Sequence, residues 1–370
     1  MTPVFRQTLL EWPGLRRAIF ITQQLGHHPM YAAAVAKANA LANRVDELIV
    51  VADRVDPTCL ATNARAHTFG APFRLVRGAR YLSSLVSELR PRPIVAIAHM
   101  VPLYGVVAGP ILRPFGVPLV LWYTHWHDHR VLRASEPFCT AITSVDARSF
   151  PYESRKVHGT GHGIDLTEFP LVDGAPSPPG TLRAVVAGRY AKRKGLPQIL
   201  RALRIVRDRG LDVTLEMRGP TMTPDEERVR REIGRLAGEL RFGDELTLGG
   251  MVAREDLPAL FATADVVICN HISPDKIIYE GAASGVPVLA SHPAFDELFE
   301  GIEPSLMFEH DDSDSLADRL AALLATPPEQ RRAIGRKLHE RVADHHSVDT
   351  WADAMLSHAR NGRSAFRTVV

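Results

Sequence analysis

The octapeptide GRYAKRKG (188–195) sets Arg189 and Lys194 five residues apart, directly after the apolar run LRAVVA (182–187). Glycine at a strand end lets a ligand approach the backbone closely. Two fixed cations beside a helix N-terminus make a good diphosphate site. The competing reading is a solvated basic turn, which suits Lys192 and Arg193. A second stretch, HISPDKIIYEGAASGVPVLAS (271–291), follows the apolar run DVVICN (265–270) in the same manner. Ser273-Pro274-Asp275 has the composition of a helix start, and Gly285 that of its end. Its first amides would offer a second anion site. Glu280, about one and a half turns in, suits accepting hydrogen bonds from two neighbouring hydroxyls such as those of a ribose. Equally open is a buried glutamate satisfied by a nearby arginine or by backbone. Two histidines also stand at strand ends: His125, just past PLVLWYT (118–124), and His99, closing PIVAIAH (93–99).

The elements that must position these groups alternate short Val/Ile/Leu runs with longer amphipathic segments, the pattern of parallel sheets with crossover helices. In the first half strands are expected at 17–22, 46–52, 73–76, 93–99, 118–124 and 141–145, with helices at 30–43 and after Arg80. Around 166–182 the pattern gives way to LTEFPLVDGAPSPPGTL, whose prolines and glycines read as an inter-domain linker. A second series follows, with strands at 182–188, 213–219, 246–250, 265–270 and 287–291. Helices are expected from Gly195 to about Asp208, from Pro224, at 254–263, and from about Ser313 onward. The fold class is therefore α/β, two Rossmann-like domains facing each other across a cleft. The expected division is 1–170, then 171–345, with a final helix 346–370 docking back on the first domain through Trp351. In open α/β sheets ligands sit beyond the carboxyl ends of the strands, where both opening segments lie.

Length and composition agree with this organisation. A chain of 370 residues is too long for one typical core and suits two. A net charge of +2 gives no case for nucleic acid. Six lysines against thirty-eight arginines read as genomic composition rather than function. Cys59, Cys139 and Cys269 show no metal or disulfide spacing, which fits a reducing cytoplasm. Residues 1–16 lack the apolar core of a signal peptide, and no apolar run reaches the length of a membrane span. Peripheral membrane contact has no clear support in the sequence, and nothing in it sets the oligomeric state.

GRYAKRKG, the turn RGP (218–220), LGGMV (248–252) and YEGAASGVPVLAS (279–291) recur in this order in retaining GT-B glycosyltransferases of family GT4, which the chain resembles over most of its length. HGIDLTEF (162–169) resembles the family's hinge motif. FITQQLG, IAHMVPLYGVVAGP and LWYTHW are similar to a bacterial subgroup that often builds surface polysaccharides. The resemblance implies a retaining, metal-independent glycosyltransferase with no cofactor and a nucleotide-diphosphate sugar as co-substrate. The acceptor hydroxyl would belong to a glycan, a lipid-linked glycan or a small natural product. Arg189 and Lys194 would neutralise the departing diphosphate, with Gly188 beside them, and Glu280 would hold the ribose. Met251 and Val252 would line the base pocket, and amides near Lys276, Ile277 and Ile278 would meet phosphate or sugar oxygens. Gly26 would belong to a glycine loop near the donor phosphate, and His125 would face the sugar or acceptor. His27 and His28 are candidate acceptor contacts, and His127 and His129 read as solvated.

One departure bears on the sugar. The family pattern sets two glutamates eight positions apart, and Ile272 stands where the first belongs. Asp275 would either take over part of the sugar recognition or cap the helix, with capping the simpler assignment. The missing glutamate leaves open a non-catalytic sugar-nucleotide-binding protein. A GT-B enzyme forming a C–N bond, or a phosphorylase, are the enzyme alternatives.

Overall fold

A computed structural model describes residues 15–27, 31–125, 127–147, 150–172, 177–271 and 273–367, with side chains to 359. His28 and Ile272 lie outside the described residues. The chain forms two compact units, 1–165 with 345–370, and 166–344.

The first unit is a seven-stranded parallel sheet. Its strands are β1 (Arg17–Leu25), β2 (Glu47–Val55), β3 (Ala64–Thr68), β4 (Val95–His99), β5 (Leu119–Trp122), β6 (Ala141–Ser144) and β7 (Val157–Gly159), in the order β3-β2-β1-β4-β5-β6-β7. Ala18, Ile19, Phe20 and Ile21 of β1 are fully buried, as are Leu48–Ala52 of β2, because crossover helices cover both faces. Those helices are α1 (Ala32–Ala42), α2 (Arg74–Ser87), α3 (Pro102–Leu112) and α4 (Arg130–Ser135).

The strand expected at 73–76 is absent. Phe73 is the N-cap of α2, whose core contacts are Tyr81 and Leu85 at i,i+4 spacing. The strand in that region is instead β3, with sequence ARAHT, and β7 (VHG) was likewise not expected. Both are edge strands, partly exposed, and edge strands need no continuous apolar run to be stable.

The unit closes with a helix from the far end of the chain. Trp351 is fully buried and meets Trp122 edge-on, with ring centroids 5.8 Å apart. The Lys37 ammonium lies 5.7 Å and 5.5 Å from the two ring centroids.

The second unit is a five-stranded parallel sheet ordered β10-β9-β8-β11-β12. Its strands are β8 (Thr181–Ala187), β9 (Asp212–Arg218), β10 (Leu246–Gly249), β11 (Val266–Cys269) and β12 (Val288–Ala290). They alternate with α5 (Leu196–Asp208), α6 (Pro224–Glu239), α7 (Leu257–Ala262) and α8 (Lys276–Ala283). After β12 come α9 (Asp296–Phe299), α10 (Ser313–Ala325) and α11 (Pro328–His345); α12 (Val348–Arg367) is the helix carrying Trp351.

The segment read as a linker is packed where it is described. Phe169 is fully buried near Phe261, the Val172 amide donates to the Ser284 carbonyl, and the Ser177 amide donates to Asp265. At these described positions the segment is packed on the second unit instead of being a free tether.

Candidate functional site

The carboxyl edge of the second sheet is assembled by glycines. The Gly188 amide donates to the Arg218 carbonyl, and the Gly219 amide donates to the Gly250 carbonyl. A Cβ on Gly219 would lie 1.8 Å from the Gly188 carbonyl oxygen. The loops after β8, β9 and β10 therefore meet backbone to backbone, which side chains would prevent. Tyr190 pins them, its buried hydroxyl donating to the Gly249 carbonyl at 2.9 Å.

Gly188 has φ 136°, and a Cβ there would lie 2.3 Å from Lys194 Nζ, so this glycine makes room for the Lys194 ammonium. Lys194 Nζ pairs with Asp275 Oδ2 at 2.5 Å, both side chains being mostly buried. Burial opposes the charge on each. The pairing outweighs it, keeping Lys194 raised above the usual lysine value and holding the Asp275 carboxyl down at about 2. The site thus contains a fixed ion pair at neutral pH.

Asp275 is also the N-cap of α8: its side chain accepts from the Ile277 amide and its carbonyl from the Ile278 amide. Two of the three amides assigned to an anion already have partners within the chain. The helix runs Lys276–Ala283 and ends before Gly285 at φ 75°, as its composition indicated.

Arg189 is held elsewhere. Its guanidinium meets Glu226 Oε1 at 2.5 Å, and Glu226 is itself buried in the first turn of α6. Arg189 and Lys194 are thus oriented by two different carboxylates. Met251 is exposed and Val252 half-buried in the loop after β10.

Glu280 is 2% exposed, and its Oε1 accepts from Arg254 Nη1 and pairs with Lys276 Nζ, each at 2.9 Å. Arg254 also donates to Glu168 and lies over the Phe169 ring, 5.0 Å from its centroid. Burial works against the Arg254 charge, and Glu280 and Glu168 together more than restore it. Of the two readings open for Glu280, the arginine partner is present in the folded chain.

Glu226, Arg254 and Glu168 were not singled out in the sequence, because single charged residues in helices and turns carry no spacing signal of their own. Asn270 was also missed, although it stands at a strand end. Its Nδ2 donates to the Gly195 carbonyl at 3.3 Å and to Asp311 at 2.9 Å, fixing the glycine that caps α5 at φ 53°. The expected absence of a metal finds no argument in carboxylate spacing, since the chain has one Asp-x-Asp triplet, Asp312 to Asp314. Asp312 there caps α10, accepting from the Asp314 and Ser315 amides.

In the first unit, Gly26 follows β1 and is half-buried. His125 follows β5, is exposed, and stands edge-on to Tyr123 at 5.6 Å. His99 ends β4 within reach of the Thr22 hydroxyl (3.3 Å), and burial drives its ring well below the usual histidine value. Burial thus favours the uncharged form of the His99 ring. His27 is exposed beside Thr58.

Two parallel α/β units with site residues at strand ends define the class, and solved structures of the GT-B fold share it. A sucrose-phosphate synthase from Thermosynechococcus elongatus matches with TM-score 0.70 and 17% identity, over 95% of this chain and 100% of that one. An Anabaena protein, HepE, solved with UDP and glucose, matches with TM-score 0.66 and 13% identity, over 96% and 100%. Residues 225–357 match the glycosyl transferase-like family. A phosphatidyl-myo-inositol mannosyltransferase of Mycolicibacterium smegmatis is 30% identical over 171 residues, 44% of this chain and 42% of that protein. The match spans less than half the length of that relative and of another curated glycosyltransferase.

Proposed function

We propose that the chain transfers a sugar from a nucleotide-diphosphate sugar to an acceptor hydroxyl, with retention at the anomeric carbon and without a metal or other cofactor. The observation that carries this reading is the Lys194 ammonium, held charged by Asp275 beneath the open backbone of Gly188. When the bond between sugar and diphosphate breaks, negative charge grows on the leaving group. A cation already fixed in place stabilises that charge with little reorganisation. Arg189 adds a second cation, released toward the ligand from Glu226. The relatives' names include a phosphatidylinositol mannosyltransferase, and HepE was solved with UDP and glucose, which supports a nucleotide-sugar donor.

Glu280, anchored by Arg254, receives the ribose hydroxyls on its second oxygen, and Met251 and Val252 flank the base. At the start of α8 the Lys276 amide meets phosphate or sugar oxygens, and the Ile277 and Ile278 amides, held by Asp275, do so only by sharing their hydrogens with the ligand. Asp275 acts first as helix cap and counterion to Lys194. Gly26 and His125, in the first unit, contact the donor phosphate and the sugar or acceptor. The three free cysteines suit work in the cytoplasm.

A thermal-shift screen of UDP-, GDP- and ADP-sugars tests the reading, followed by donor hydrolysis with the sugar that binds. A ligand at a hundredfold excess over its dissociation constant adds about 2.7 kcal/mol of stability. Binding with turnover supports the transferase. Binding without turnover by any acceptor would make the chain a sugar-nucleotide-binding protein, and no binding at all would end the proposal.

A further inference from the structure

Helix α2 of the first unit carries two apolar faces where one would be enough. Tyr81 and Leu85 face the core at 4% and 0% exposure. Leu75, Ala79, Leu82 and Val86, spaced four, three and four residues apart, form a second stripe that faces solvent. Leu75 is 88% exposed and Val86 56%, and at the helix start Phe73 is 73% exposed. Every residue from 72 to 77 is exposed, so the first turn projects from the unit. Apolar residues exposed in such concentration mark an interaction surface.

The charge around the stripe is one-sided. Between Asp56 and Glu88 the chain has no carboxylate, while Arg65, Arg74, Arg77 and Arg80 lie within that span. The carboxylates on either side of that span are already engaged: Asp53 by Arg77 at 3.3 Å, Asp56 by the Thr58 amide and hydroxyl, and Glu88 by Arg17, Arg65 and His67. A projecting aliphatic stripe tipped by phenylalanine and flanked by arginines has the make-up of a helix that lies in a membrane interface. A second copy is a poor occupant, because a two-fold contact would set the same arginines against one another. Among the described residues no helix is long and apolar enough to cross a membrane.

We propose that α2 is a lipid-docking helix that seats Phe73, Leu75, Leu82 and Val86 in an anionic bilayer surface, with Arg74 and Arg80 on its headgroups. The arginines' attraction to such a surface is screened by salt.

The test is flotation of the full chain with vesicles of phosphatidylcholine alone or mixed equally with phosphatidylglycerol, without nucleotide sugar. The expected result is binding to the mixed vesicles, weaker in high salt, and at least tenfold weaker binding to neutral ones. Leu75→Asp with Leu82→Asp should reduce it at least tenfold, and Arg74→Glu several-fold, with unchanged circular-dichroism melting. If the double variant does not fold, Phe73→Ser with Val86→Ser replaces it. No binding by the wild type, equal binding to both vesicles, or full binding by the apolar variants would overturn the proposal. So would a dimer in sedimentation that Leu75→Asp dissociates, which would assign the face to a second copy. Because donor is absent, this result and the transferase test stand or fall separately.

Discussion

Lys194 Nζ lies 2.5 Å from Asp275 Oδ2, joining two segments 81 residues apart in the chain. One carboxylate both caps α8 and keeps charged the ammonium that Gly188 leaves uncovered. The helix start and the cation of the site are therefore a single device.

Removing Lys194 should affect chemistry and stability together. Lys194→Ala is expected to lower turnover by about 10²-fold or more, since a fixed transition-state cation is lost. It also leaves the Asp275 carboxylate without its counterion in a mostly buried position, at a cost of roughly 3 kcal/mol. Lys194→Ala with Asp275→Asn should recover stability, because asparagine still caps a helix, but not turnover. Urea unfolding and donor hydrolysis on the same samples separate the two effects.

Arg254 should behave as the anchor of Glu280. Arg254→Met leaves Glu280, 2% exposed, with Lys276 as its one cation among the described residues, and a loss of about 3 kcal/mol is expected. Adding Glu280→Gln should restore much of it, giving a coupling energy well above 1 kcal/mol in a double-mutant cycle read by chemical denaturation.

Two glycines of the second unit should respond oppositely to alanine. Gly219→Ala sets a Cβ 1.8 Å from the Gly188 carbonyl oxygen, which is backbone and cannot swing aside. Misfolding or a loss of several kcal/mol is expected, with the loops after β8 and β9 forced apart. Gly234 lies exposed inside α6, and a methyl group there would meet nothing within 4 Å, so Gly234→Ala should stabilise by about 0.5–1 kcal/mol. Thermal melts of the two variants beside the wild type decide this.

The first unit should be acid-labile. His158 of β7 stacks on His358 of α12 at 4.3 Å, and His346 lies just before that helix. Burial lowers all three, His358 to about 4 and His346 to about 3, with neighbouring histidines adding to the effect on those two. They are neutral when folded, whereas the unfolded chain binds protons below about pH 6.5. Stability is therefore full above that pH and falls as pH drops toward the folded values. His358→Gln should flatten the decline, as measured by melting temperature between pH 7.5 and 4.5.

The position of a strand was legible where it is buried on both faces. The runs at 17–22, 46–52 and 265–270 have continuous apolar centres, Ala18–Ile21, Leu48–Ala52 and Val266–Cys269, because helices cover both faces. It was not legible at β3 or β7, edge strands whose pairing is supplied by one neighbour rather than by composition. FRLV at 73–76 misled for the opposite reason. Its apolar residues do not enter the core at all, and exposure of Leu75 is a property only the folded surface can display.

What the sequence determined by itself was the place of each candidate group: Arg189 and Lys194 after one strand, Asp275 and Glu280 at the next helix start, each fixed by local periodicity and glycine. What only the tertiary structure decided was each group's partner. Glu226 with Arg189, Asp275 with Lys194, and Arg254 with Glu280 are separated by 37, 81 and 26 residues. Such pairs form because desolvated charges must be matched inside the fold, and that matching depends on which strand ends the parallel sheet sets side by side.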